Sequence, residues 1–294
     1  MRSSGLWRLE FNGSGILAAG PNFWPRAVVW IIFLFGMTTL ALFASFQLPD
    51  WLHLSRSYDY YCAVLIPAIA WIGYAIAVRF GERRSVSELS LRHAPMELLV
   101  GSIIGFGFIS LVLFLLWALE LYTIALGHWG HAFRYFVFNA YVSALLEELA
   151  FRAILLRIFA RMFGPLAGLI ISAALFGLAH ASHASLLAMV EIFVNGGVFL
   201  GLLYMVSGRL WLATGAHIGY DFTEWSIMGV GDKDGFLVVA PTPHYPAWLT
   251  GGEFGPDGSV LATIIGIVVG CAILLVRREF NKRGESSPVK IPTN

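Results

Sequence analysis

The chain has 294 residues, of which 58% are hydrophobic and 13% charged, and its net charge is +1. Soluble domains carry about 25% charged residues, so this composition excludes an ordinary soluble protein and indicates a chain surrounded by membrane lipid. The small net charge gives no indication of a nucleic-acid partner. Only two cysteines are present, which excludes a disulfide framework.

Eight segments are apolar enough to cross a membrane, for which about 20 residues are needed. The first begins only after Arg26 and is too long for the apolar part of a signal peptide, so it is predicted to be retained. We therefore predict an all-α fold, a polytopic integral membrane protein with about eight transmembrane helices and a buried polar cavity. The predicted helices cover residues 27–47, 60–79, 97–126, 134–162, 166–182, 185–206, 209–228 and 259–277.

The basic residues indicate the orientation of these helices. With a cytoplasmic N-terminus, fifteen Lys and Arg lie on the inner side, Arg152 lies within a helix, and only Arg56, Arg134 and Lys233 lie outside. This asymmetry favours both termini in the cytoplasm. The predicted organisation is N-terminal transmembrane helices over 1–130, a core carrying the polar residues over 131–228, an extracytoplasmic loop over 229–258, and a last transmembrane helix with a cytoplasmic tail over 259–294.

Two glycine pairs have the spacing that lets membrane helices approach closely. They are Gly197 with Gly201 and Gly215 with Gly219, each pair separated by one helical turn. Such pairs are common at contacts between membrane helices. The spacing therefore predicts packing and carries no information about chemistry.

The fourth predicted helix contains the sequence Glu147-Glu148-Leu-Ala-Phe-Arg152. Ionisable side chains inside a membrane helix cost roughly 2.5–3.5 kcal/mol and usually serve a function. Glu148 and Arg152 are one turn apart and can form an ion pair, which leaves Glu147 without a partner on its own helix. A desolvated carboxylate of this kind suits a general base or acid. A purely structural ion pair is the alternative.

Two further sets follow, Phe176-x-x-x-His180 in the fifth helix and His217-x-x-x-Asp221 in the seventh. Asp221 lies one turn after His217, so we expect it to accept a hydrogen bond from His217 and fix the tautomer of its ring. The alternatives are a core histidine bonded to a backbone carbonyl and a His–Asp pair without chemistry.

The three sets also agree in depth. With a rise of about 1.5 Å per residue, Glu147 and His180 each lie about 20 Å from the cytoplasmic ends of their helices, and His217 lies about 12 Å from its end. We therefore expect one buried, wet cavity that opens toward the cytoplasm. Weaker candidates, which either belong to this cavity or are structural, are Glu191, Asn195 and His183.

Over residues 134–228 the three motifs resemble the CPBP family of intramembrane (metallo)proteases, which includes the type II CAAX prenyl endopeptidases. The family pattern is E-E-x-x-x-R, then F-x-x-x-H, then H-x-x-x-N or D, and this sequence has all three in that order. The resemblance implies a glutamate-dependent endopeptidase that acts inside the membrane on a membrane-associated protein or peptide. It implies that Glu147 and His180 activate water, that Arg152 holds Glu148, and that His217 and Asp221 stabilise the oxyanion.

Asp221 departs from the form of the third motif that has Asn. An Asn side chain can donate a hydrogen bond to an oxyanion, whereas an ionised Asp only accepts. Asp221 therefore donates in its protonated form, orients His217 or binds a metal, and the sequence leaves these three roles open. Two histidines with carboxylates also suit a divalent metal such as zinc, with Glu147, His180 and His217 as candidate ligands, although no H-E-x-x-H motif is present.

Two other functions are compatible with the same residues. One is a non-enzymatic membrane protein of the same fold, with an immunity or scaffold role. The other is an ion-coupled transporter, since buried Glu, His and Arg also form proton relays, but the sequence shows no inverted repeat. The location implied by the resemblance and the helices is the bacterial inner (plasma) membrane.

Overall fold

The structure is a computed structural model that describes residues 7–11, 14–130, 132–182, 184–230 and 235–285, apart from the side chains of 280–285. His183 lies outside the described residues. The described part of the chain forms eight long helices and two short antiparallel strands. They are α1 (Phe23–Trp51), α2 (Ser57–Glu82), α3 (Ala94–Ala118), β1 (Tyr122–Leu126), α4 (132–163), α5 (Pro165–Ala179), α6 (Leu186–Ser207), α7 (210–227), β2 (Leu237–Pro241) and α8 (Val260–Glu285).

The predicted fold class, an all-α polytopic membrane protein, is confirmed. Within the described residues, five helices are long and apolar enough to cross a membrane, namely α1, α2, α6, α8 and the segment that contains α3. The apolar helix α5 is shorter, with 15 residues, and α4 and α7 carry the ionisable side chains of the predicted site. The count of eight spans therefore stays a prediction.

The helices run back and forth, so the bundle has two ends. We call the end where α1 begins the basic end, and the end where α8 begins the connector end. At the basic end, the backbone N–H of Arg8 donates to the carbonyl of Met205 at 2.9 Å, close to where α6 ends. At the connector end, β1 pairs with β2. The basic end is the side predicted to be cytoplasmic, and the arginines Arg79, Arg83, Arg92, Arg161 and Arg209 lie there.

The third predicted helix is wrong beyond Ala118, where α3 ends. Glu120 adopts a positive φ of 62°, and the chain then becomes β1. Thr123 and Ile124 are β-branched and favour extended backbone, while a short apolar run alone does not distinguish a strand from a helix. The segment predicted as an extracytoplasmic loop supplies the partner strand, so part of it is ordered sheet.

Helices α3 and α7 pack so closely that their backbones touch. A Cβ atom added to Gly105 of α3 would overlap the carbonyl oxygen of Ala216, and one added to Gly219 of α7 would overlap the carbonyl oxygen of Ser102. The packing predicted from the glycine spacing of α7 is confirmed. Because α7 carries His217, the height of this histidine in the bundle is set by α3.

A buried ion network lies at the basic end, and we call its members Glu82, Arg84, Glu88 and Arg157 the arginine network. Arg157 donates to Glu82 at 2.6 and 2.8 Å, and Arg84 donates to Glu82 at 2.8 Å. Arg84 and the hydroxyl of Tyr74 donate to Glu88, each at 2.5 Å. The sequence suggested charges facing the cytoplasm at Arg84 and Arg157, but both are buried because the two glutamates neutralise them.

Candidate active site

The predicted ion pair of α4 is present and completely buried. Arg152 Nη1 lies 3.2 Å from Glu148 Oε1, and the two side chains are 1% and 0% exposed. The guanidinium also donates to the backbone carbonyl of Gly196 on α6 and lies over the ring of Phe176 on α5, 4.6 Å from its centroid. A buried charge needs partners on several sides, and here three helices supply them.

His217 is held by Glu148 rather than by Asp221. Its Nδ1 lies 2.9 Å from Glu148 Oε1, whereas its Nε2 lies 3.5 Å from Asp221 Oδ2 and 3.9 Å from Glu147 Oε2. The predicted hydrogen bond between His217 and Asp221 is therefore wrong. The reason is that Glu148 approaches the ring directly from α4, which sequence spacing along α7 does not reveal. With Nδ1 donating to Glu148, Nε2 also donates when the ring carries both protons.

His180 lies just after the last residue of α5, at the connector end. Its ring Nδ1 is 2.9 Å from the backbone carbonyl oxygen of Phe176, which fixes the ring and makes Nε2 the basic nitrogen of the neutral tautomer. The ring of Phe176 lies 4.9 Å from the ring of His180 and 6.3 Å from that of His217. Phe176 therefore packs against both histidines.

The three motifs meet at one cavity of about 640 Å³. Glu147, His180, His217 and Asp221 line it, while Glu148 and Arg152 lie behind this lining. The structure therefore brings the three motifs together at one cavity, as predicted.

The cavity lies in the half of the bundle at the connector end. Its lining includes Phe46 near the end of α1, and Glu253, Phe254 and Asp257 of the segment before α8. The cavity thus lies away from the basic end, so its predicted opening toward the cytoplasm and the predicted cytoplasmic location of the basic end do not agree with each other. A residue about 20 Å from one side of a hydrocarbon core about 30 Å thick lies closer to the other side, which is the reason that Glu147 and His180 are near the connector end.

Two weaker candidates belong to the same cavity. Glu191 and Asn195 both line it, and the amide of Asn195 donates to Glu191. These two residues were predicted either to line the cavity or to bond to each other, and they do both.

The sequence did not single out Glu224 or Asp257 as site residues. Both line the cavity, and their carboxyl groups are hydrogen-bonded to each other. Burial raises the pKa of Asp257 to about 6, against the opposing effects of Glu224, two backbone N–H groups and the charge of His180. Glu224 follows Asp221 along α7, which is a weak signal in the sequence, whereas Asp257 stands in a Gly- and Pro-rich segment that gave none.

The candidate metal ligands do not form a metal site in this arrangement. Among the described residues, no group of three or more His, Cys, Asp or Glu side chains is arranged to hold a metal ion. His217 already uses Nδ1 for Glu148, and Nδ1 of His180 contacts a backbone carbonyl. As placed, these residues do not fit a zinc ion, and a metal-dependent activity stays a prediction.

The chain is similar to a known protein family. Residues 128–223 match the family described as "Rce1-like: Type II CAAX prenyl endopeptidase Rce1-like". The matched segment is about a third of the 294-residue chain and contains all three motifs, so the predicted family resemblance is confirmed. No curated protein and no solved structure matches the chain.

Proposed function

We propose that the protein is an intramembrane endopeptidase that hydrolyses a membrane-associated protein or peptide, since its central segment matches the Rce1-like type II CAAX prenyl endopeptidase family. One observation carries this proposal. Of the two adjacent glutamates, Glu148 is completely buried and paired, whereas the side chain of Glu147 is 19% exposed and lines the cavity with both histidines. The chain thus presents one carboxylate to a bound substrate and keeps the other for support.

In the proposed reaction, Glu147 acts as the general base. Its carboxylate takes a proton from a water molecule held with the help of His180, and the resulting hydroxide adds to the peptide carbonyl carbon. The electron pair of the C=O double bond moves to the oxygen, which becomes an oxyanion. Glu147 then gives the proton to the leaving nitrogen as the C–N bond breaks, so the products are a carboxylic acid and an amine.

His217 stabilises the oxyanion through a proton on Nε2. Donors placed in advance where charge develops lower the barrier most effectively, and Glu148 holds this ring through Nδ1 at 2.9 Å. Glu148 and Arg152 are therefore positioning residues that act through His217. Asp221, with Oδ2 3.5 Å from Nε2, places an acidic group beside this nitrogen without holding the ring.

The decisive experiment compares membrane-fraction proteomes of cells that carry the wild-type protein or Glu147→Gln. We expect a membrane-associated substrate to accumulate uncleaved in the variant. The purified wild-type protein should cleave this substrate, while Glu147→Gln and His180→Ala lower the rate at least about 100-fold. Glu120→Gln, which changes an exposed glutamate at the connector end, is the matched control and should cleave normally.

Other results would favour the alternatives. Full cleavage by both site variants contradicts the proposed mechanism. Cellular function retained by Glu147→Gln without detectable proteolysis supports the non-enzymatic protein, and proton-dependent solute uptake lost on Glu148→Gln supports the transporter. Activity that a chelator removes and zinc restores would establish the metalloprotease reading.

A further inference from the structure

The cavity has more acidic groups than the proposed reaction needs. Six of its lining residues are Asp or Glu, and no Lys or Arg is found among the described residues that line it. The reaction uses Glu147 and Asp221. Four carboxyl groups are left over, and we call them the acidic wall: Glu191, Glu224, Glu253 and Asp257.

The acidic wall reaches from the surface to the interior. Glu253 is exposed, whereas Glu191, Glu224 and Asp257 are 2%, 4% and 7% exposed. All four line the same cavity as Glu147 and the two histidines. A group that enters the cavity therefore meets a carboxyl group at the surface and further carboxyl groups beside the reacting residues.

One buried member of this wall, Asp257, is incompletely hydrogen-bonded. Asp257 Oδ1 is buried and has no hydrogen-bond partner among the described residues. The hydrogen bond between Glu224 and Asp257 requires that one of the two carboxyls keeps a proton. Burying a carboxylate without a counter-charge is costly, and the arginine network shows that this chain supplies a counter-charge where a carboxylate serves structure alone.

We propose that the acidic wall binds a Lys or Arg side chain of the substrate, close to the peptide bond that is cleaved. This inference rests on the proposed endopeptidase function of the same cavity. A metal cation fits less well, since no described group of side chains is arranged to hold one. The half-exposed aromatic rings of Phe254 and Trp225 also line the cavity and suit the apolar stem of a long basic side chain.

The test uses two fluorescent peptides that differ at one position, where one has lysine and the other has norleucine, its uncharged analogue. Their binding to Glu147→Gln in lipid nanodiscs is measured by fluorescence anisotropy, so that cleavage does not interfere. We expect the lysine peptide to bind at least about tenfold tighter, as one charged hydrogen bond provides. Adding Glu224→Gln and Asp257→Asn should bring the ratio close to one, while adding the control Glu120→Gln should leave it unchanged.

The outcomes separate this inference from the proposed function. Equal affinity for the two peptides, or no binding of either, overturns the inference, even when the wild-type protein cleaves a substrate. A lysine preference without cleavage by the wild-type protein supports the acidic wall and contradicts the endopeptidase. Should the double substitution prevent folding, Glu253→Gln at the exposed mouth serves instead, and an unchanged ratio in that variant counts against the wall.

Discussion

The arginine network and the candidate active site both bury carboxylates in one helical bundle, yet they satisfy them differently. In the arginine network, two glutamates face two arginines, and all four carboxylate oxygens accept hydrogen bonds of 2.5–2.9 Å. In the active site, acids outnumber bases, and Glu148 Oε2 and Asp257 Oδ1 have no hydrogen-bond partner among the described residues. Complete pairing fixes a fold, whereas incomplete pairing leaves groups that can act on a substrate.

Breaking the arginine network should have the largest effect on stability. Arg157→Met removes two hydrogen bonds to Glu82 and leaves a buried charge partly uncompensated, so we expect the free energy of unfolding to fall by about 3–5 kcal/mol. Unfolding in mixed detergent and SDS micelles measures this change. Arg79→Met, at an exposed arginine of the same end, should unfold like the wild type. Wild-type stability of Arg157→Met would mean that the network does not hold the bundle.

Glu148→Gln should have an intermediate effect on stability, because Glu148 has a buried arginine partner, like the glutamates of the arginine network, and also contacts His217 of the active site. The substitution removes a charged partner from Arg152 and from His217, while Arg152 keeps the Gly196 carbonyl. We expect a loss of about 1.5–3 kcal/mol together with a reduced rate of cleavage, because the ring of His217 is less well held. The same unfolding assay and a cleavage assay measure the two losses. A loss of stability with undiminished cleavage would argue against a positioning role.

Glu147→Gln should separate stability from activity most sharply. Among the described residues the side chain of Glu147 has no hydrogen bond, and its contact with His217 Nε2 is 3.9 Å. We therefore expect the free energy of unfolding to change by no more than about 0.5 kcal/mol while cleavage is lost. Its neighbour Glu148→Gln is the matched comparison. Should Glu147→Gln destabilise the protein as much as Glu148→Gln does, the proposed division between an active and a supporting glutamate is wrong.

Asp221→Asn should have the smallest effect. The amide has nearly the shape of the carboxylate and both donates and accepts hydrogen bonds, so the rate of cleavage should change by less than about tenfold. The change also removes an acidic group from the cavity, so stability should not fall. Cleavage and unfolding assays check both expectations. A loss of activity as large as that of Glu147→Gln would show that a negative charge at position 221 is required.

The sequence revealed the site because ionisable residues stand out in apolar helices. Glu147, His180 and His217 were identified in this way, and Glu148 and Arg152 by their one-turn spacing. The contact between Glu148 and His217 joins residues 69 positions apart, and only the packing of α4 against α7 creates it. Sequence spacing predicts which residues are neighbours on one helix, but it does not predict which residues on different helices are in contact.

Features outside the three motifs were not predicted from the sequence for a related reason. Glu82, Arg84 and Glu88 resemble the solvated charges of a loop between membrane helices, and their burial depends on Arg157, which lies far along the chain. Asp257 and the strand β1 each depend on the segment before α8 folding back onto the bundle. Local patterns therefore predicted the helices, and tertiary contacts decided which charges became buried.

The backbone contact between α3 and α7 means that the family-matched segment is not a separable module. Residues 128–223 contain every motif, but the helix that fixes the height of His217 ends at Ala118, before this segment begins. A gene fragment limited to the matched residues would encode all the reactive groups without the support that aligns them. We expect any transplant of this active site into another scaffold to require a glycine-bearing helix equivalent to α3.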